Sequence, residues 1–120
     1  MFIKSLKDCE EFTAGDGCRL RELLHPDKAD LKLHYSLAHA KVSPGQTTDQ
    51  HKLKGASEVY YIIKGEGKMR IGGETRDVKE GDAVYIPPDA VQSITNTGRE
   101  NLEFICLVDP AWNKDQEEVF

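Results

Sequence analysis

His51 and Glu58 are the residues of this chain best suited to chemistry. An imidazole and a carboxylate close in sequence can ligate a divalent cation, or act as general acid and base. Both stand in the stretch from Pro44 to Gly67, PGQTTDQHKLKGASEVYYIIKGEG. On a strand, the two-residue period puts Asp49, His51 and Leu53 on one face, and Glu58 and Tyr60 on another. A second stretch, Gly81 to Asn96, reads GDAVYIPPDAVQSITN and aligns Gln92, Ile94 and Asn96. Gln92 offers an amide that can fix a ligand or a neighbouring side chain. His34 and His39 are separated by an odd number of residues, so a regular strand points at most one of them inward, and His39 is the candidate. A plainer reading stands beside these. His51 can simply hydrogen-bond Glu58 or Gln92, with Glu58 a buried carboxyl whose pKa is raised by desolvation.

These side chains must be positioned by strands. Leu31 to Val42 alternates as a long strand, with Leu31, Leu33, Tyr35 and Leu37 on one face. Glu58 to Lys64 (EVYYIIK) is dense in β-branched and aromatic residues, and Tyr61 and Ile63 face away from the pocket toward the other layer or a second copy. Gly65-Glu66-Gly67 reads as a turn, Gly72-Gly73 as a hairpin, and Pro87-Pro88 as the stop of a strand over Ala83 to Ile86. Leu102 to Val108 is the last clear strand, with Leu102, Phe104, Cys106 and Val108 on one side. Gly15-Asp16-Gly17 is a turn in which Asp supports the backbone. The acidic run from Asp115 to Glu118 reads as a solvated tail, and Trp112 as a pin for it. About eight to ten short strands with no amphipathic helix predict an all-β sandwich or barrel.

Composition narrows the partners. The 120 residues suit one domain, 1–120, with a barrel over about 15–110 and terminal arms packing outside it. A formal net charge of −5 lacks the basic footprint that nucleic acid requires. No apolar run is long enough for a membrane span. Three cysteines, without CxxC spacing, predict reduced thiols in the cytoplasm.

The two stretches together resemble the cupin superfamily. Gly45, His51, Leu53, Glu58 and Gly65 follow its first motif, except that Leu53 stands where a second His is usual. Gly81, Pro87, Asp89, Gln92 and Asn96 follow its second motif, with Asp89 for Gly and Gln92 for His. The resemblance implies a double-stranded β-helix, or jelly roll, usually dimeric. It also implies a pocket holding one divalent metal ion (Zn, Ni, Mn or Fe) on three His and one Glu. Carried onto this chain, the metal positions are His51, Glu58 and Gln92, with Asp49, Leu53, Tyr60, His39 and Ile94 around the pocket. The expected function is binding of a small molecule there. The alternatives are a metal-dependent dioxygenase, isomerase or lyase acting on a small oxygenated substrate, and metal-free acid–base catalysis with His51 and Tyr60 or Tyr35.

Overall fold

The computed structural model describes all residues from Met1 to Phe120. Eleven strands form two sheets. They are β1 (Glu11–Thr13), β2 (Arg19–Leu24), β3 (Ser36–Val42), β4 (His51–Leu53), β5 (Ser57–Lys64), β6 (Glu66–Ile71), β7 (Glu74–Lys79), β8 (Ala83–Ile86), β9 (Gln92–Asn96), β10 (Leu102–Asp109) and β11 (Glu117–Val119). The only helical piece is a 3-10 turn, Leu6–Asp8. One sheet runs β1-β2-β3-β10-β5-β8, the other β11-β4-β9-β6-β7, and every pairing is antiparallel. This is the jelly roll that the resemblance implied, and an all-β barrel as the turn spacing predicted, with short strands and tight glycine turns closing two sheets over one core.

The inner faces follow the two-residue period. Along β10, Leu102, Phe104, Cys106 and Val108 are buried and their neighbours only half-buried. At one end of the barrel Phe104, Ile62, Ile86, Ile94 and Leu102 make a dry plug, and the Phe104 ring lies 4.4 Å from that of Tyr60. At the other end the inward residues become polar: His51, Glu58 and Gln92. Apolar filling thus holds the barrel shut, and polar residues line the opposite end.

Two local departures have clear causes. The strand expected from Leu31 begins at Ser36. Its neighbours end there, since Leu24↔Leu37 and Val108↔Ser36 are the last pairs, so residues 31–35 have no ladder to join. Glu66 and Gly67 belong to β6, and Gly65 alone turns the chain, at φ +87°. Gly67 is required by space instead. A Cβ there would lie 2.6 Å from the Thr95 carbonyl oxygen and 2.9 Å from Leu102 Cδ2. Gly67→Ala is therefore expected to cost about 1–3 kcal/mol, as overpacking does, read as a lowered melting temperature; an unchanged midpoint would refute the contact.

Asp89 occupies the motif's glycine position and takes φ +67°, the single non-glycine residue in that region. Its Oδ1 accepts from the Gly55 N–H at 3.4 Å, a partial local compensation. Asn96, the last motif position, is fully used: its amide donates to the carbonyls of Val42 and Glu100, and its oxygen accepts from the Gly98 N–H. The terminal segments, expected outside the barrel, supply the edge strands β1 and β11. No helix is long and apolar enough to cross a membrane.

Candidate functional site

The polar end of the barrel encloses a cavity of about 40 Å³. β5 contributes Glu58 and Tyr60, and β4 contributes His51 and Leu53. The floor comes from Cys106 and Val108 of β10, Ser36 and Ala38 of β3, and Cys18. Half-buried Phe12, Glu22, Trp112 and Glu117 complete the wall. Burial pushes the Cys18 and Cys106 thiols well up, so both are inert wall atoms rather than nucleophiles.

Across the cavity runs a hydrogen-bonded row. The Tyr60 hydroxyl donates to Gln92 Oε1 at 3.0 Å, and Gln92 Nε2 donates to Glu58 Oε1 at 3.0 Å. All three side chains are buried. Burial pushes the Glu58 carboxyl up to about 8; the Gln92 amide opposes this, while Asp16 and Glu117 reinforce it. Burial also raises the Tyr60 hydroxyl far above its ordinary value, so it acts as a donor.

His51 pairs directly across the strands with Gln92. Its Nδ1 lies 2.8 Å from the carbonyl oxygen of Asp49. A carbonyl only accepts, so Nδ1 carries the hydrogen. Nε2 then faces Asp16 Oδ2 at 3.4 Å. Asp16 is itself fixed, because its Oδ1 accepts from the Cys18 N–H at 3.0 Å.

The C-terminal segment closes the site. Trp112 Nε1 donates to Glu117 Oε2 at 3.0 Å, and the Trp112 N–H donates to Ser36 Oγ at 2.9 Å. The Trp112 carbonyl accepts from His25 Nε2 at 2.6 Å, whose Nδ1 accepts from the Asp27 N–H. Buried His25 is thus a clasp for the segment that carries Trp112.

Of the residues named from the sequence, His51, Glu58, Leu53 and Tyr60 line the cavity, and Gln92 bridges two of them. Four do not belong to it. His39 points to the outer face of its sheet and pairs with Glu103 Oε1 at 2.9 Å, because the inner face of β3 is the even-numbered one. His34 is exposed and pairs with Asp109, so neither histidine of this pair faces inward. Asp49 precedes β4 with its side chain exposed, and only its carbonyl reaches His51. Ile94 is packed in the dry plug, one step beyond the polar end.

Asp16, His25 and Glu117 were not legible as site residues. Asp16 carried a turn signal that its Oδ1 does satisfy, leaving Oδ2 free for His51. Glu117 reads as part of a solvated acidic run, but β11 pairs with β4 and turns it inward.

The family's metal does not fit these residues. Leu53 is an alkyl wall packed with Ala56, Val108 and Trp112. Gln92 is engaged at both ends of its amide. Nowhere do three His, Cys, Asp or Glu side chains converge closely enough to hold a metal ion.

The profile of the cupin domain matches residues 38–108. The chain belongs to the cupin family. An uncharacterized protein of Methanocaldococcus jannaschii is 38% identical over 90% of this chain and 86% of its own length. An oxalate-binding protein of Thermotoga maritima is 37% identical over 59% of each chain. Among solved structures, a predicted oxalate decarboxylase of Thermotoga maritima superposes with a TM-score of 0.79 at 26% identity, covering 91% of this chain and 99% of that one. A Streptomyces protein crystallised with uridine gives a TM-score of 0.81 at 18% identity over 100% of this chain and 91% of its own, which is a likeness of fold alone. Asp16, Trp112 and Glu117 of this cupin all lie outside the matched segment.

Proposed function

We propose that this cupin binds a small molecule directly through its own side chains, in the cavity bordered by His51, Glu58 and Tyr60. The single observation behind this is the row Tyr60–Gln92–Glu58, which engages both ends of the Gln92 amide and one oxygen of the Glu58 carboxyl. Barrel mouths with a few convergent polar groups in an apolar wall are common ligand sites. The small-molecule reading is also supported by the relative named as an oxalate-binding protein. The metal-dependent alternative asks for a donor set this chain lacks, since Leu cannot ligate and a neutral amide is a weak ligand for a transition metal.

Untagged protein is expected to carry far less than one equivalent of metal by elemental analysis, unchanged after incubation with Zn, Ni, Mn or Fe(II). In parallel, a screen of small polar compounds is expected to raise the melting temperature through at least one of them, because a ligand that binds only the folded state stabilises it. One tightly held equivalent of metal would sink the direct-binding reading.

The Asp16–His51 pair facing Glu58 across the cavity favours a second reading, metal-free proton transfer on the bound molecule. A ligand from the screen would then change over hours by NMR, and Asp16→Asn would bind it without turning it over. A second copy of the chain is the proposed partner. The exposed side chains of Tyr61, Ile63 and Tyr85 on the outer face of β5 and β8 support this. Light scattering should give about twice 13.5 kDa, and the single-chain mass would refute it.

A further inference from the structure

We infer that the cavity takes a small uncharged molecule by a carbonyl-type oxygen, which Glu58 meets as hydrogen-bond donor, and turns away an anion or a cation of the same shape. This rests on the reading above that the cavity is a binding site, and goes further by naming the charge and the head group of what enters.

The donor follows from the row across the cavity. The Tyr60 hydroxyl donates to Gln92 Oε1, so the amide turns its Nε2 hydrogens toward Glu58, where Oε1 accepts at 3.0 Å. In a carboxylic acid the accepting oxygen is the carbonyl one, and the hydrogen belongs on the other. That other oxygen, Oε2, makes no hydrogen bond within the chain and is not sealed off by it, so it opens on the cavity that Glu58 lines. The surroundings of Glu58 keep it in the acid form. Its side chain is buried, Asp16 and Glu117 stand round the same space, and no lysine or arginine lines it. The row therefore presents one uncharged O–H to whatever enters, and an acceptor on the ligand is what satisfies it.

A charged molecule has nothing to meet there. Glu22 is paired with Lys28, Asp16 faces His51, and Glu117 receives the Trp112 indole N–H. A cation would thus find no carboxylate left without a partner. An anion would find no lysine or arginine, the groups that ordinarily receive one. Either would shed its water without gaining a counter-charge, which is strongly unfavourable, whereas an uncharged carbonyl gives up far less. The remaining wall suits an apolar remnant, since Leu53, Cys106, Val108 and Trp112 border the same space. A cavity of about 40 Å³ admits a head group of only a few heavy atoms.

The test is an NMR titration following the Trp112 indole N–H, the signal of the only tryptophan in the chain. Acetamide, acetate and acetamidinium share one planar shape, and at about pH 6 they are neutral, anionic and cationic. Acetone, the fourth probe, keeps the carbonyl and drops the N–H. All are added separately at constant ionic strength. Saturable shifts are expected with acetamide and acetone, and none with acetate or acetamidinium over the same range. Glu58→Gln keeps an uncharged donor in its own amide and is expected to keep acetamide binding. Glu58→Met has similar length and no donor, and is expected to weaken acetamide about tenfold, as loss of one hydrogen bond does. The four-probe series uses the parent protein, so it decides the question even if Glu58→Met does not fold. Acetate or acetamidinium binding as tightly as acetamide would overturn neutral selection while leaving a binding site in place. Silence from acetone beside saturation by acetamide would overturn the carbonyl contact, and undiminished binding by Glu58→Met would remove Glu58 as the donor. Silence with all four probes would overturn this inference, and the binding reading falls with it only if the thermal screen is silent too.

Discussion

At pH 9, Glu58→Gln is expected to melt about 10 °C or more above the parent protein, and at pH 5 the two should nearly coincide. The folded chain keeps the Glu58 proton up to about pH 8, while an unfolded chain releases it near the ordinary 4.5. Between those values the folded state binds more protons, so stability falls as pH rises, by ~1.4 kcal/mol per unit. The contribution is complete below the unfolded value and gone above the folded one, which sums to several kcal/mol for a fully desolvated carboxyl. Glutamine has no proton to lose and can still accept from Gln92 Nε2 at the same oxygen. Asp16, Glu117 and His51 face the same space in both proteins, so the difference between the two pH profiles isolates Glu58. Parallel profiles from pH 5 to 9 would show that Glu58 is far better solvated than its burial indicates.

Leu53→His combined with Gln92→His is expected to convert the cavity into a metal site. Both positions border His51 and Glu58, and the β4–β9 register sets position 92 directly opposite His51. Loss of even an outer partner of a metal ligand costs roughly 10–100-fold in affinity, so two added imidazoles should tighten Ni or Zn binding by more than about 100-fold. Equilibrium dialysis against a chelator reads this directly. The single variants matter as well. Leu53→His puts a polar ring among Ala56, Val108 and Trp112, and Gln92→His gives up one end of the Tyr60–Glu58 bridge. Each alone should lower stability by about 1–3 kcal/mol, the usual cost of a buried polar group left without its partner. A double variant that folds and takes up no more metal than the parent would show that the strands do not align the four positions on one centre.

The all-β barrel was legible because its signals are local, and the jelly roll followed from the motif resemblance. Gly65 and Gly81 take the positive φ that turns demand, and Leu102 to Val108 alternates as a half-buried strand must. The altered motif positions were also legible, and Asp89 takes on the left-handed backbone of the glycine it replaces. Side-chain direction was legible only inside strands. The two-residue period holds for Gln92 and Ile94 but says nothing of Asp49, which precedes β4. It separated His34 from His39 but could not tell which face of β3 was inner, because inner means facing a sheet formed by residues far along the chain. Asp16, His25 and Glu117 escaped for the same reason. Their partners His51, Trp112 and the cavity are set by long-range pairing, and no spacing rule connects residue 16 to residue 51. Even the depth of the pocket depends on such pairing, since Ile94 and Gln92 share a face and belong to different environments.

The clasp between His25 and the Trp112 carbonyl has a consequence for anyone handling this protein. One wall of the cavity is the segment carrying Trp112 and Glu117, only a few residues from Phe120, and β11 holds it by three register pairs to β4. A purification handle fused after Phe120 would sit directly beside that wall. A handle of histidines would also bring metal-binding imidazoles beside the cavity, counterfeiting a metal site. The cleaner preparation carries its handle at the opposite terminus and has it removed before any binding is measured.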